Sequence, residues 1–309
     1  MKFFSFAILT LIALLLVTVH PASGYAANFA FADPPASYLL QVNGKIYRER
    51  GSGIRRPQAS LTKVMTALLV LEHCRLEEVV TVNKAAASET GSRIHLHRGD
   101  RLTVHNLLAA TLMASANDAC RALAEHVGGS QPKFVTMMNR RAAELGLHDT
   151  QFRNACGHDQ DGHYSTTHDL MVLANAALHH EAFAELVATP RMTITTVSGK
   201  RSYTFRNINR LIGRYDGARG VKTGTTPKAG QCLIALAQRG ETRVLLVIMR
   251  SRHRWQTAPA MLDAVFEAHA PKRPELIPKE LPDETILKEL DENGGNGPNG
   301  MFKEEDKTQ

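Results

Sequence analysis

Two hairpins at opposite ends of the chain, with helix-forming segments between them, limit how this sequence can fold. The first reads Ser37 to Val42, then Asn43-Gly44, then Lys45 to Tyr47. Asn-Gly between short apolar stretches is the residue pair that a type I′ turn demands, because both central residues need positive φ. The second runs from Cys232 through a turn at Arg239-Gly240 to Val244–Met249. Between them, residues 60–73 place Val64, Met65, Leu68, Leu69 and Leu71 at helical spacing. Residues 103–114, 117–127 and 133–145 read as further helices, and 256–268 as a closing one. Strands at the ends and helices between predict one α/β domain whose sheet joins the two ends of the chain. The segment 154–167, rich in Gly, His, Asp and Asn, reads as a long loop.

The first residues bear on location. Lys2 precedes an apolar run, Phe3 to Val19, followed by small residues around Ala22-Ser23-Gly24 and Ala26. That order is the pattern of a secretory leader, expected over residues 1–26. The run is short for a membrane span of about 20 residues, which favours cleavage over anchoring. Export would bring Cys74, Cys120, Cys156 and Cys232 into an oxidising space, where two disulfides have three pairings. Sequence assigns none of them, although Cys232 lies in an apolar strand and reads as a buried thiol.

Residues 27–270 are expected to form the folded body. From 271 onward five prolines, a Gly/Asn cluster and six Lys/Arg against ten Asp/Glu read as an acidic, disordered tail. The net charge is +7 overall, so the body is more basic still. A basic body suits polyanions, but no nucleic-acid recognition motif accompanies it. With 43% apolar and 22% charged residues, neither a disordered chain nor a multi-span membrane protein is expected.

Three short motifs carry chemistry. Ser60-Leu61-Thr62-Lys63 sets a hydroxyl and an amine on one helix face, where a desolvated lysine can take the serine proton. Ser115-Ala116-Asn117, at a turn between two helices, offers a second hydroxyl and an amide. Lys222-Thr223-Gly224, on a late edge strand, offers a cation and a hydroxyl to a carboxylate, with Gly224 leaving room for a substrate backbone. Taken singly these are a helix cap, a second cap and a basic strand edge.

Their order is more specific. SxxK, then SxN, then KTG is the set used by penicillin-binding proteins and class A β-lactamases. With Leu145-Gly146-Leu147, His163-Tyr164-Ser165-Thr166 and Gly220 to Gly230, residues 36–268 resemble the serine D-alanyl-D-alanine carboxypeptidases. That resemblance implies a β-lactamase/transpeptidase-like α/β fold, an antiparallel sheet flanked by helices with an inserted helical subdomain. It implies catalytic Ser60, Lys63, Ser115 and Asn117. It implies substrate binding by Lys222, Thr223, Gly224, Thr225 and Arg254, with an oxyanion hole from the Ser60 and Thr225 N–H groups. The expected substrate is a peptidoglycan stem peptide ending in D-Ala-D-Ala, and β-lactams are the expected covalent inhibitors. No metal or organic cofactor and no nucleic acid is expected, and peripheral membrane association stays open.

Other readings share the motifs. An endopeptidase cutting cross-links would use the same residues. A class A β-lactamase needs a glutamate to activate the deacylating water, and the 157–163 loop offers only Asp159 and Asp161. A wall-binding protein without activity would not need Ser60 and Lys63. The same loop, Gly157 to His163, is rich in metal-ligand types but has no second cluster to complete a site. His95, His97, His179 and His180 are expected on solvated surfaces.

Overall fold

The structure is a computed structural model that describes residues 34–270. The leader expected at 1–26 and the tail expected at 271–309 lie outside the described residues. The elements follow in order as β1 (Ser37–Val42), β2 (Lys45–Arg50), a 3-10 turn (Ala59–Thr62), α1 (Lys63–His73), β3 (Val79–Thr81), α2 (Lys84–Ala87), β4 (Arg101–Thr103) and α3 (Val104–Met113). Next come α4 (Asn117–Gly128), α5 (Gln131–Glu144), α6 (Thr167–Leu178), α7 (Glu181–Ala188), β5 (Arg191–Thr195) and β6 (Ser202–Arg206). The chain then forms β7 (Ala218–Thr226), β8 (Gly230–Arg239), β9 (Thr242–Ser251) and α8 (Arg254–Ala268).

Both expected hairpins form and share one antiparallel sheet, in the order β2-β1-β9-β8-β7. Asn43 and Gly44 take φ of 46° and 82°, the conformation a type I′ turn requires. β1 pairs with β9, Leu40 opposite Leu246 and Tyr38 opposite Ile248, so the two ends of the body meet in mid-sheet. Side chains alternate across the sheet. Leu40, Leu233, Leu246 and Ile248 face Met261, Leu262 and Val265 of α8. Leu39, Ile234, Val247 and Met249 join the larger core formed with α1, α3 and α6. Because β8 and β9 are covered on both faces, their sequences read as unbroken apolar runs rather than as alternation.

The outer strand β2 carries Lys45, Arg48, Glu49 and Arg50, charges that discourage pairing with another edge. The opposite edge, β7, is covered by the 3-10 turn and by α7. That covered edge is where the site lies.

The helices at 103–114, 117–127, 133–145 and 256–268 appear within a residue or two of their expected bounds. The first helix differs. Ser60 lies in a 3-10 turn, and α1 begins at Lys63. The Thr62 hydroxyl bonds back to the Ala59 carbonyl at 2.8 Å, holding the turn tight. The sequence reading omitted α6, α7 and the β5–β6 hairpin. For α6 the signal was present: Thr166 caps the helix by accepting from the Asp169 N–H at 3.0 Å.

Candidate active site

Ser60 sits on the 3-10 turn, pressed between β7 and the 154–163 loop. Two glycines make that approach feasible. A Cβ on Gly157 would lie 2.1 Å from the Ala59 carbonyl oxygen, and Gly157 also has φ of +90°. A Cβ on Gly224 would lie 3.0 Å from Gln58 O and 3.1 Å from Ser60 N. Gly224 therefore makes room for the serine turn itself, and the sequence reading, which gave that room to a substrate backbone, is revised accordingly.

One turn on, Lys63 is fully buried. Its Nζ donates to Ser60 Oγ at 3.0 Å, to Asn117 Oδ1 at 2.7 Å and to the Cys156 carbonyl at 2.5 Å. These acceptors are all neutral. Burial therefore pulls the lysine pKa down to about 7, with Glu89 and Asp118 opposing the shift through space. A lysine that is neutral for half its time near neutral pH can accept a proton from the hydroxyl beside it.

The SxN segment reaches the same place. Ser115 adopts φ of 57° in the turn between α3 and α4. Asn117 opens α4, its N–H bonded to Ser92 O at 2.7 Å and its Nδ2 to Thr90 O at 2.6 Å. Its Oδ1 is thereby aimed at Lys63. Next to it, buried Asp118 accepts from the Leu96 and Ala119 N–H groups at 3.0 and 2.9 Å, fastening the 92–96 loop to the helix start.

From β7, Lys222 is also buried, and its Nζ donates to Ser115 Oγ at 2.9 Å and to Thr223 O at 3.0 Å. Burial holds its pKa well below the ordinary lysine value, and repulsion from Lys63 and Arg254 adds to the effect. Ser60, Lys63, Asn117 and the pair Ser115–Lys222 thus converge from three separate stretches of sequence. Thr223 and Gly224 are buried on the same strand, while Thr225 is exposed. Arg254, at the start of α8, donates through one guanidinium nitrogen to Gly224 O at 2.7 Å and to Thr225 Oγ1 at 2.8 Å. All nine residues singled out in the sequence lie on or beside one site.

With this geometry in view, residues 37–253 match the family described as D-alanyl-D-alanine carboxypeptidase. The chain belongs to that family. Its sequence is 34% identical over 274 residues to D-alanyl-D-alanine carboxypeptidase DacF of Bacillus subtilis (strain 168), covering 84% of this chain and 70% of DacF. It is 34% identical over 250 residues to the D-alanyl-D-alanine carboxypeptidase of Streptomyces sp. (strain K15), covering 76% and 82%. The crystal structure of the Streptomyces K15 DD-transpeptidase is similar in fold, with a TM-score of 0.71 at 30% identity over 78% of this chain and all of that one.

Several contacts that support this carboxypeptidase-family site are not assigned by the sequence. A disulfide joins Cys120 on α4 to Cys156, whose carbonyl holds Lys63, so the bridge ties that acceptor to the helix that presents Asn117. Cys74 and Cys232 are free, and Cys232 is buried as expected. In the loop rich in ligand-type side chains, Asp159 accepts from Thr226 Oγ1 at 2.6 Å and from the Lys228 N–H at 3.0 Å. Asp161 pairs with Lys228 Nζ at 2.9 Å. His163 is buried; its Nδ1 accepts from the Arg153 N–H at 2.9 Å, which leaves the proton on Nε2, 2.9 Å from Thr62 Oγ1. Burial lowers its pKa to about 4, so it stays neutral and braces the Ser60 turn. Asp159 and His163 are therefore committed to holding the end of β7 and the serine turn, while Asp161 lies at the surface and His158 faces Glu89 at 3.2 Å. Of the four histidines expected on the surface, His95, His97 and His179 are exposed and His180 is half-buried.

Proposed function

We propose that this chain is a serine-type D-Ala-D-Ala carboxypeptidase that trims peptidoglycan stem peptides through an acyl-enzyme on Ser60. The observation that carries the reading is Lys63, buried, lowered in basicity and 3.0 Å from Ser60 Oγ. Neutral Lys63 takes the Ser60 proton as Oγ attacks the carbonyl between the two D-Ala residues. The Ser60 and Thr225 N–H groups receive the oxyanion. Ser115 Oγ, which accepts from Lys222 Nζ, keeps its own proton to give to the leaving amine. The peptide C–N bond breaks, D-Ala departs, and an ester to Ser60 remains; the proton held by Lys63 passes to Ser115 Oγ, so the amine is neutral again. Water, deprotonated by Lys63, then cleaves that ester, and Lys63 returns the proton to Ser60 Oγ as the stem peptide leaves. Asn117 orients the acyl chain, while Thr223, Thr225 and Arg254 hold the terminal carboxylate, whose charge also favours protonated Lys222.

The same ester would form with a penicillin, making β-lactams covalent inhibitors. Both oxygens of Asp159 are occupied and Asp161 is turned to solvent, so neither is placed to activate a deacylating water as a β-lactamase requires. We further propose export by the leader at 1–26 to the periplasm or another extracytoplasmic part of the envelope. The Cys120–Cys156 bridge supports an oxidising compartment.

The test is labelling with a fluorescent penicillin, beside Ser60→Ala, with release of D-Ala from a stem pentapeptide followed in parallel. A long-lived adduct and D-Ala release, both lost in the variant, are expected. Rapid loss of label with drug turnover would replace this reading with a β-lactamase. Folded protein that forms no adduct and releases no D-Ala would overturn the acyl-enzyme altogether.

A further inference from the structure

Away from Ser60, three side chains of metal-ligand type converge from separate parts of the chain. Cys74 caps the end of α1, Glu78 lies just before β3, and His126 is in the last turn of α4. Their ligand atoms, Cys74 Sγ, a Glu78 carboxylate oxygen and a ring nitrogen of His126, all lie within 4.8 Å of one another. We propose that they form a site for a thiophilic divalent cation of the Zn2+ type.

The backbone fixes each contributor. The Cys74 N–H bonds to Val70 O at 2.9 Å, and its extended conformation turns the chain away from the helix. The Glu78 carbonyl accepts from the Val104 N–H at 2.8 Å, tying that segment to the start of α3. The Arg75 N–H donates to Glu78 Oε1 at 2.9 Å, leaving Oε2 to face His126 Nε2 at 3.5 Å. One carboxylate oxygen is thus oriented by a backbone donor while the other points at the neighbouring ligand, the arrangement that outer-shell hydrogen bonds impose on metal carboxylates.

Thiolate, imidazole and carboxylate together suit zinc. Tetrahedral bonds of about 2.0–2.3 Å set neighbouring ligand atoms roughly 3.3–3.8 Å apart. The cluster needs to close by about an ångström to reach that spacing. Cys74 and Glu78 are half-buried and His126 is exposed, so the side chains have room to close and water can take the fourth position. The Arg75 guanidinium, 3.7 Å from Glu78 Oε1, is a competing cation, but its side chain is 85% exposed and free to swing outward. Cys74 is not in a disulfide.

The placement suggests what the ion does. α1 begins at Lys63 and is capped by Cys74, while α4 begins at Asn117 and carries His126 in its last turn. The near ends of these helices meet in the 2.7 Å Lys63–Asn117 bond. An ion held by Cys74 and His126 would tie their far ends together, stiffening the pair without touching the reacting groups.

The test titrates the purified chain, with Cys74 as a free thiol and the Cys120–Cys156 bridge intact, with Co2+ as a spectroscopic probe and then with Zn2+. One equivalent of Co2+ is expected to give thiolate-to-metal charge transfer and the strong visible bands of four-coordination, and Zn2+ is expected to abolish both. At 100 times its dissociation constant, Zn2+ should raise Tm by about 5–10 °C. Cys74→Ser should lose the charge-transfer band, and His126→Ala should weaken binding by at least tenfold. Penicillin labelling of both variants without metal should match the parent, which establishes that they are folded. No charge-transfer band at millimolar Co2+, or an equal Zn2+-induced Tm rise in Cys74→Ser, would overturn the site. Neither result bears on Ser60.

Discussion

Lys63 is the residue on which the proposed chemistry turns, and its titration gives the sharpest expectation. Its amine has only neutral acceptors around it and no solvent, so the charged form is disfavoured and the pKa falls to about 7. Only the neutral amine can take the Ser60 proton. As pH rises through that value the competent fraction grows from about a tenth at pH 6 to about nine-tenths at pH 8. The second-order rate of penicillin acylation should therefore climb roughly tenfold across that interval and level off above it. Glu89 and Asp118 both favour the cation through space. Glu89→Gln should accordingly move the midpoint to lower pH, a sign opposite to that expected from mere loosening of the site. Lys63→Arg, a cation that does not deprotonate, should cut acylation by about 10²–10⁴ at every pH. Stopped-flow or quench measurements with a fluorescent penicillin from pH 5.5 to 9 read all three. A flat profile, or a midpoint near that of an exposed lysine, would refute Lys63 as the base.

Other expectations follow from the braces around that amine. Cys120→Ser with Cys156→Ser opens a crosslink spanning 36 residues; the chain-entropy relation puts the loss at about 4 kcal/mol. Tm should fall by roughly 8–15 °C and acylation should slow; an unchanged Tm by calorimetry would contradict this. Gly224→Ala puts a methyl 3.0–3.1 Å from the serine turn. Acylation should drop about 10–100-fold through misplacement of Ser60, with circular dichroism unchanged, and full activity would count against the packing argument. The folded-state pKa of His163 lies below its unfolded value, so the unfolded chain binds the extra proton first as pH falls. Stability from this group is whole above about pH 6.5 and is lost toward pH 4, by about 3 kcal/mol. Urea midpoints should show a shallower acid slope in His163→Gln, and identical slopes would refute the assignment.

The parts of this molecule legible in sequence are those specified by local chemistry. Asn43-Gly44 announces its turn, the apolar period of 60–73 announces α1, and SxxK, SxN and KTG each sit within a few residues of chain. What stayed hidden depends on distant partners. Nothing in Cys120 and Cys156 marks them as a pair until α4 and the 154–157 loop pack together. The loop from Gly157 to His163 reads as a ligand set because its composition is polar, yet Asp159 and His163 are spent on β7 and the serine turn and His158 faces Glu89. Gly224 was assigned to substrate because sequence shows a missing side chain but not what fills the space. The β5–β6 hairpin was passed over because polar residues separate its few apolar ones, with Ile194 and Phe205 the buried side chains in its two strands.

The order of strands in the main sheet sets a condition on timing. β1 is made near the beginning of the body, yet its inner neighbour, β9, ends at Ser251. Closing that pair brings together residues some two hundred positions apart, so the sheet is dominated by contacts of long sequence range, which slow folding. A chain emerging from its N-terminus can assemble helices early, but it has no partner for the inner edge of β1 until nearly the whole body is out. β7, with Lys222, also arrives late. An incomplete chain therefore carries Ser60 and Lys63 without the strand that closes over them, and the proposed nucleophile has its full setting only once synthesis of the body is essentially finished.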